Sequence, residues 1–221
     1  AVALLNHEGT ISTFYGSDAL TQAHKAAVHG DIITLSGGAF TAPSSWTKAV
    51  TLRGAGCYAG SDNSREVTYI GNTFYLAIPV EIETTMTIEG INFKSNFSFS
   101  TKVKNTTFLK CYFPQVSNVC CNTNFYNCIL DGLTFSPSAT NVADVNLFNC
   151  YVNDPLNSSA YSSYVSAKLT NCIVRFSMAV REYGSSCIIW AMNFAKYTNC
   201  IFIGRIFGRI IIICHHQCCL F

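Results

Sequence analysis

Histidine is the usual general base near neutral pH, and this chain places His7, His24 and His29 near its start, His215 and His216 near its end, and none between. The long middle therefore has no imidazole to activate a nucleophile. Carboxylates are the other route to acid–base work. From residue 101 to residue 200 the acids are Asp131, Asp144, Asp154 and Glu182, spread singly, whereas an inverting glycosidase needs acids that converge on one bond. A lyase needs Ca²⁺, Arg or Lys to neutralise a uronate carboxylate, and a base of lowered pKa. Lys110, Lys168, Arg175 and Arg181 could be recruited, but scattered basic residues read as ordinary solvated charge. Asp62, Arg65 and Glu66 fall in a polar stretch, 60–67, that reads as a surface loop. No catalytic residue is assigned, and the balance leans away from an enzyme.

Twelve cysteines invite a disulfide or metal reading. Five of them, Cys111, Cys128, Cys150, Cys172 and Cys200, recur inside one motif: an apolar residue, any residue, usually Asn, Cys, any residue, apolar. The copies are Phe108–Phe113 (FLKCYF), Phe125–Leu130 (FYNCIL), Leu147–Val152 (LFNCYV), Leu169–Val174 (LTNCIV) and Tyr197–Phe202 (YTNCIF), and their starts are 17, 22, 22 and 28 residues apart. A thiol that returns once per repeat behaves as a small buried hydrophobe. Side chains in register on parallel strands point the same way, which is poor geometry for a bridge, so reduced core thiols are expected. Cys120, Cys121 and Cys187 lie outside this ladder and stay undecided. Cys214, His215, His216, Cys218 and Cys219 are zinc-type ligands without the paired spacing of a structural site. They read as part of an unstructured tail, and no metal or cofactor is expected.

Units of 17 to 22 residues are too short for a helical pair, and these segments are β-branched and aromatic, bounded by Gly, Asn, Ser and Pro. Each unit reads as one coil of a β-solenoid. Leu52-Arg53-Gly54-Ala55 and Ile88–Phe93 fit the same frame with Gly in place of Asn, and Ile32–Leu35 and Val67–Ile70 are weaker strands. Eight or nine coils stacked about 4.8 Å apart make a rod of about 40 Å. The first apolar residue, the Cys and the last apolar residue point inward. Asn127, Asn149, Asn171 and Asn199 then stack at the bend as an amide ladder that ends at Lys110. Ahead of the coils, Ser17-Asp18 can cap a helix to about Val28, with Leu20, Ala23 and Ala27 on one face and Gly30 as the stop. Val2–Leu5 and Thr10–Phe14 flank Asn6-His7-Glu8-Gly9 as a hairpin packed on that helix, which closes a first coil otherwise left with unpaired strand groups.

Gly30-Asp31-Ile32-Ile33-Thr34-Leu35, Val50-Thr51-Leu52-Arg53-Gly54-Ala55-Gly56, Thr87-Ile88-Glu89-Gly90-Ile91-Asn92-Phe93 and the Asn-Cys coils resemble the pectin-lyase-like superfamily, in particular exported members from gut bacteria, over roughly residues 10 to 203. The resemblance implies an all-β chain, a single right-handed parallel β-helix with an N-terminal capping helix and hairpin. It divides the sequence into hairpin and helix (1–30), coils (31–203) and an atypical segment (204–221) read as a truncated or frame-shifted end. That superfamily holds polysaccharide lyases, glycoside hydrolases, esterases, adhesins and phage tailspikes, so fold alone does not decide function. The paired Arg around Pro and the acidic calcium cluster of pectate lyases are not found in this sequence.

With inward positions so assigned, Leu109, Tyr126 and Phe148 stack outside one strand, and Tyr112, Ile129, Tyr151, Ile173 and Ile201 outside the next. Leu109, Tyr112, Tyr126, Phe148 and Tyr151 form the candidate ligand or partner surface, because exposed apolar stripes mark binding or assembly and aromatic faces stack on sugars. Two alternatives carry equal weight: a long loop, Asn153–Ala167, covers the stripe, or the register is shifted by one residue. A charged fraction of 12% and a formal net charge of +2 lack the basic footprint of a nucleic-acid partner. The most apolar run, Ile201–Cys214, is broken by Arg205 and Arg209 and is too short to span a bilayer. The start, Ala1-Val2-Ala3, has no basic or long apolar lead-in, so any export signal lies outside this sequence. Low charge with abundant Ser, Thr and Asn points to an extracellular or cell-surface location. The expected function is a non-catalytic, adhesin-like scaffold that binds a polysaccharide or a protein partner. The alternative is a polysaccharide lyase or glycoside hydrolase of the same fold.

Overall fold

A computed structural model describes residues 1–59, 66–100, 103, 105–119, 122–135, 143–153, 165–175, 195–206 and 209–215. The chain opens with an antiparallel hairpin, β1 (Val2–His7) and β2 (Thr10–Tyr15). Its two-residue turn uses Glu8 and Gly9, both at positive φ, and the Asn6 side chain accepts the Gly9 N–H at 2.9 Å. The helix α1 (Ala19–Ala26) follows and buries Ala19, Leu20, Ala23 and His24. It is shorter than a reading to Val28, because Ala27 is already extended. Its start also differs from expectation. Asp18 stands at the N-cap, but its carboxylate accepts the Gln22 side-chain amide at 2.8 Å rather than a backbone N–H.

From there the chain makes repeated passes. The first holds β3 (Ile32–Leu35) and β4 (Gly38–Phe40), and the second β5 (Thr51–Arg53), β6 (Thr68–Ile70) and β7 (Phe74–Leu76). The third holds β8 (Met86–Glu89), β9 (Ile91–Phe93) and β10 (Phe97–Phe99), and the fourth β11 (Thr106–Leu109), β12 (Tyr112–Phe113) and β13 (Val116–Val119). The fifth holds β14 (Thr123–Tyr126), β15 (Ile129–Leu130) and β16 (Leu133–Phe135). Then come β17 (Ala143–Phe148) and β18 (Tyr151–Asn153), β19 (Val165–Thr170) and β20 (Ile173–Arg175), and β21 (Ala195–Thr198) with β22 (Cys200–Ile206). From β3 to β22 the strands pair parallel from pass to pass, while β1 pairs antiparallel with both β2 and β3, and β23 (Arg209–His215) antiparallel with β22. The result is a ten-stranded sheet A (β2-β1-β3-β5-β8-β11-β14-β17-β19-β21), a nine-stranded sheet B (β23-β22-β20-β18-β15-β12-β9-β6-β4) and a four-stranded sheet C (β16-β13-β10-β7). The described residues are thus all-β apart from one helix, with long parallel sheets entered in rotation, as in a β-helix-like solenoid. No described helix is long and apolar enough to cross a membrane.

The period-two alternation of each strand sends one row of side chains inward, and register stacks that row from pass to pass. Phe108, Phe125, Leu147 and Leu169 are successive partners in sheet A, and Phe113, Leu130, Val152 and Val174 in sheet B; all are buried. Aromatic rings therefore stack at the strand spacing: Trp46 on Phe74 and Phe74 on Phe97 at 5.0 Å, Phe93 on Phe113 at 4.8 Å, Phe108 on Phe125 at 4.9 Å. Each fully buried ring removes enough apolar area from water to stabilise the fold by about 1.5 to 3 kcal/mol.

From the third pass onward the bend between sheets A and B has one conformation. Gly90, Lys110, Asn127, Asn149, Asn171 and Asn199 all sit at φ between 51° and 66°, a left-handed region that Gly and Asn tolerate and other residues resist. There the N–H of Asn127 reaches the Phe148 carbonyl, that of Asn149 the Thr170 carbonyl, and that of Asn171 the Thr198 carbonyl, which carries the parallel ladder around the corner. At the chain's far end Cys214 and His215, expected in an unstructured tail, lie instead at the end of a strand. β22 runs on to Ile206, and β23 returns antiparallel along it.

Candidate binding face

The outer face of sheet A is built from the residues that alternate with the buried row. Leu109, Tyr126 and Phe148 are direct register partners, and the same line continues through Thr170 and Thr198. Tyr126 and Phe148 are 36% and 44% exposed, with ring centroids 6.3 Å apart and tilted by 48°, while Leu109 is half-buried. Earlier in the line stand Glu89 and Arg53. Glu89 lies 3.9 Å from Arg53 and 4.0 Å from Lys110, so Lys110 leans toward that carboxylate rather than extending the amide ladder.

Two polar rows flank the aromatic pair. On one side, at the bend, the Asn149 amide donates to the Asn127 side-chain oxygen at 2.6 Å and the Asn199 amide to that of Asn171 at 2.9 Å. On the other side, two residues upstream of the rings, Asn146 donates to Asn124 at 3.0 Å and Asn124 to the Thr107 hydroxyl at 3.5 Å, with exposed Lys168 next in register. Each of these bonds uses one of the two N–H donors of the donating amide, and the ladder fixes its orientation. Sequence reading missed Asn124 and Asn146. Their signal is plain in retrospect, since a residue two positions before an outward aromatic shares its face.

Tyr112 and Tyr151 belong to a different face. They lie in the outer row of sheet B, in register with Ile129, Ile173 and Ile201, and the Asn bend separates them from Tyr126 and Phe148. Of the loop expected to cover this stripe, Asn153–Ala167, residues 154–164 fall outside the described part of the chain, and another segment covers part of the row. The segment 54–59 does the covering. Asn92, the outward residue just before Tyr112 in register, is buried and donates to the Cys57 carbonyl at 2.9 Å, and the Tyr58 ring meets Tyr112 edge-on at 5.9 Å. The Tyr112 hydroxyl donates to the Asp131 carboxylate at 2.5 Å, and that hydrogen bond, with burial and the carboxylate charge adding to it, pushes the phenol up to about 12. Burial is the main cause that raises the Tyr58 phenol as well. Both phenols stay protonated at neutral pH and are poorly suited to act as bases.

Asp131 and Asp144, the described acids of the later passes, do not converge. Asp131 follows β15 beside Tyr112, whereas Asp144 is exposed on the outer side of β17; Asp154, Arg181, Glu182, Asp62 and Arg65 lie outside the described residues. Glu66 accepts the Gly37 N–H at 3.1 Å. Among the described residues no three His, Cys, Asp or Glu side chains gather as metal ligands; His216, Cys218 and Cys219 are outside them.

The repeating thiols are buried and unbridged. Each bonds to main-chain carbonyls of its own turn and, for Cys111, Cys150, Cys172 and Cys200, of the preceding pass, as where Cys150 meets Phe148 and Phe125 at 3.4 Å. Hydrogen bonding to the neighbouring thiol and burial push Cys150 up to about 12 and Cys172 to about 11, and burial raises Cys128. Protonated and enclosed, Cys128, Cys150 and Cys172 are unreactive core groups. Cys120, Cys121 and Cys187 are outside the described residues.

Comparison with known proteins finds no matching family model, no matching curated protein and no matching solved structure.

Proposed function

We propose that the chain is a right-handed parallel β-helix of the pectin-lyase-like kind, located at the cell surface or outside the cell, that binds a glycan along the outer face of sheet A without cleaving it. One observation carries this reading. Tyr126 and Phe148 are exposed on adjacent passes, and oriented amide rows, Asn124 with Asn146 and Asn127 with Asn149, flank them on both sides. Sugar rings offer exactly matched chemistry in two kinds, apolar C–H faces that stack on aromatic rings and hydroxyls that exchange hydrogen bonds with amides. Rigid strands hold the array, so little ordering entropy opposes binding.

The enzymatic alternative, a lyase or hydrolase, has one observation in its favour, the Tyr112–Asp131 pair beneath the segment 54–59. Its phenol is held protonated and no second carboxylate is placed beside it among the described residues, which makes it the weaker reading. A glycan array, run beside an assay for new reducing or unsaturated ends on the same polysaccharides, separates the two. Binding without new ends is the expected result. New ends, lost on Asp131→Asn, would overturn the non-catalytic reading.

A further inference from the structure

The outermost strand of sheet A is β2, which among the described residues has a strand neighbour on one side only, β1. Hydrogen bonding fixes which residues face the open side. Gly16 donates to the Ala1 carbonyl, and Ser36, beyond β3, donates to the Val2 carbonyl. In an antiparallel ladder the direction of N–H and C=O alternates residue by residue. Ala3, Leu5 and His7 therefore bond to Phe14, Ser12 and Thr10, while the N–H and C=O groups of Ile11, Thr13 and Tyr15 point away from β1.

The side chains of these three residues share the outer face. Their register partners are Asn6, Leu4 and Val2, whereas Ala3 and Leu5 on the opposite face are buried and Phe14 packs against the core. Ile11 is 63% exposed, Tyr15 69% and Leu4 38%. The strand reads Thr-Ile-Ser-Thr-Phe-Tyr, without the charge, proline or bulge by which natural edges avoid pairing.

We propose that β2 is a self-pairing edge, by which two copies of this chain join end to end through an antiparallel β2–β2 contact about a two-fold axis at Thr13. The register argues for a second copy as the occupant. An axis at Thr13 sets Thr13 opposite Thr13 of the second copy and Ile11 opposite Tyr15 of the second copy, twice by symmetry. All three pairs are of the type in which both residues exchange N–H···O bonds, so every outward group of Ile11, Thr13 and Tyr15 finds a partner. A β-branched residue against an aromatic, and Thr against Thr, are favourable cross-strand pairs. Sheet A then runs unbroken through both molecules, and the rod roughly doubles in length.

Light scattering on the intact chain, over a concentration series from micromolar to submillimolar, tests this. Thr13 is exposed and faces away from the core, so Thr13→Lys and Thr13→Glu leave the fold intact, with unchanged circular dichroism as the check. Each places like charges directly opposite at the axis. The expected result is a wild-type mass rising to twice that of the chain, single-chain mass for either variant alone, and recovery of the doubled mass when the two variants are mixed. A wild type that stays at single-chain mass, variants that dimerise as the wild type does, or a mixture that fails to recover the dimer would each overturn the proposal.

Discussion

Among the residues at the bend between sheets A and B, Lys110 stands apart, holding φ 51° without the small or amide side chain of its equivalents. The left-handed conformation costs an ordinary L-residue roughly 1 to 2 kcal/mol. Its compensation is a 4.0 Å approach to the half-buried Glu89 from a Lys110 side chain that is itself well exposed, worth at most about 1 kcal/mol. Lys110→Asn removes the strain and sets an amide beside Asn127, so the variant should gain about 0.5 to 1 kcal/mol in urea unfolding. An unchanged or lower stability would show that the ladder's geometry does not extend to this position. The Asn-to-Cys spacing made the thiol column and most of the amide ladder legible in the sequence, because each depends on one residue per repeat. The Glu89–Lys110 contact was not legible, since it depends on how far two long side chains reach between passes.

At the scale of elements, Gly54 explains how the segment 54–59 comes to lie against sheet B. A Cβ there would fall 2.4 Å from the Gly90 carbonyl oxygen and 2.9 Å from Ile91 and Thr68. Gly54→Ala forces backbone apart and should cost on the order of 1 to 3 kcal/mol, read by thermal or urea unfolding. It should also loosen the cover over Asn92, whose side-chain oxygen is buried without a partner among the described residues, and so speed hydrogen exchange at β9. Sequence periodicity located most strands of sheets A and B and their inward rows, since alternation and burial are the same fact seen twice, but none of the strands of sheet C, which lie outside the repeated motif. It could not foresee that the loop after β5 folds over the sheet B row, because a connection's path depends on close approaches such as Gly54 to Gly90 and not on period. Tyr112 and Tyr151, placed by the repeat outside the next strand, are displayed on a separate face from Tyr126 and Phe148 because the Asn bend stands between the two strands.

For the whole molecule, stability follows the closure of the first end of the core, where two histidines titrate in opposite senses. His24 packs 4.4 Å from the Trp46 ring and accepts the Thr47 N–H at 3.1 Å. Burial, with Lys48 adding to it, lowers its pKa to about 4. The unfolded chain therefore binds a proton near pH 6.5 that the folded chain refuses, so stability falls as pH drops from about 6.5 to about 4. His7, hydrogen-bonded to Asp31 at 2.8 Å, is raised by that bond and charge, and its contribution is present at low pH and lost as pH rises through its folded value. His24→Gln keeps an acceptor for Thr47 without a titrating ring. Its melting temperature should vary less between pH 4 and 6.5 than that of the wild type, and an identical pH profile would remove His24 as the cause.

The central claim, that the outer face of sheet A holds a glycan, is tested most directly by calorimetric titration with the tightest ligand from the array. The comparison is between the wild type, Tyr126→Ala with Phe148→Ala, and Tyr151→Ala on the sheet B face. The account predicts that the double variant loses affinity by about tenfold to a hundredfold, at about 1 kcal/mol or more per anchoring ring, while Tyr151→Ala binds as the wild type does. Undiminished binding by the double variant, or loss confined to Tyr151→Ala, would contradict it.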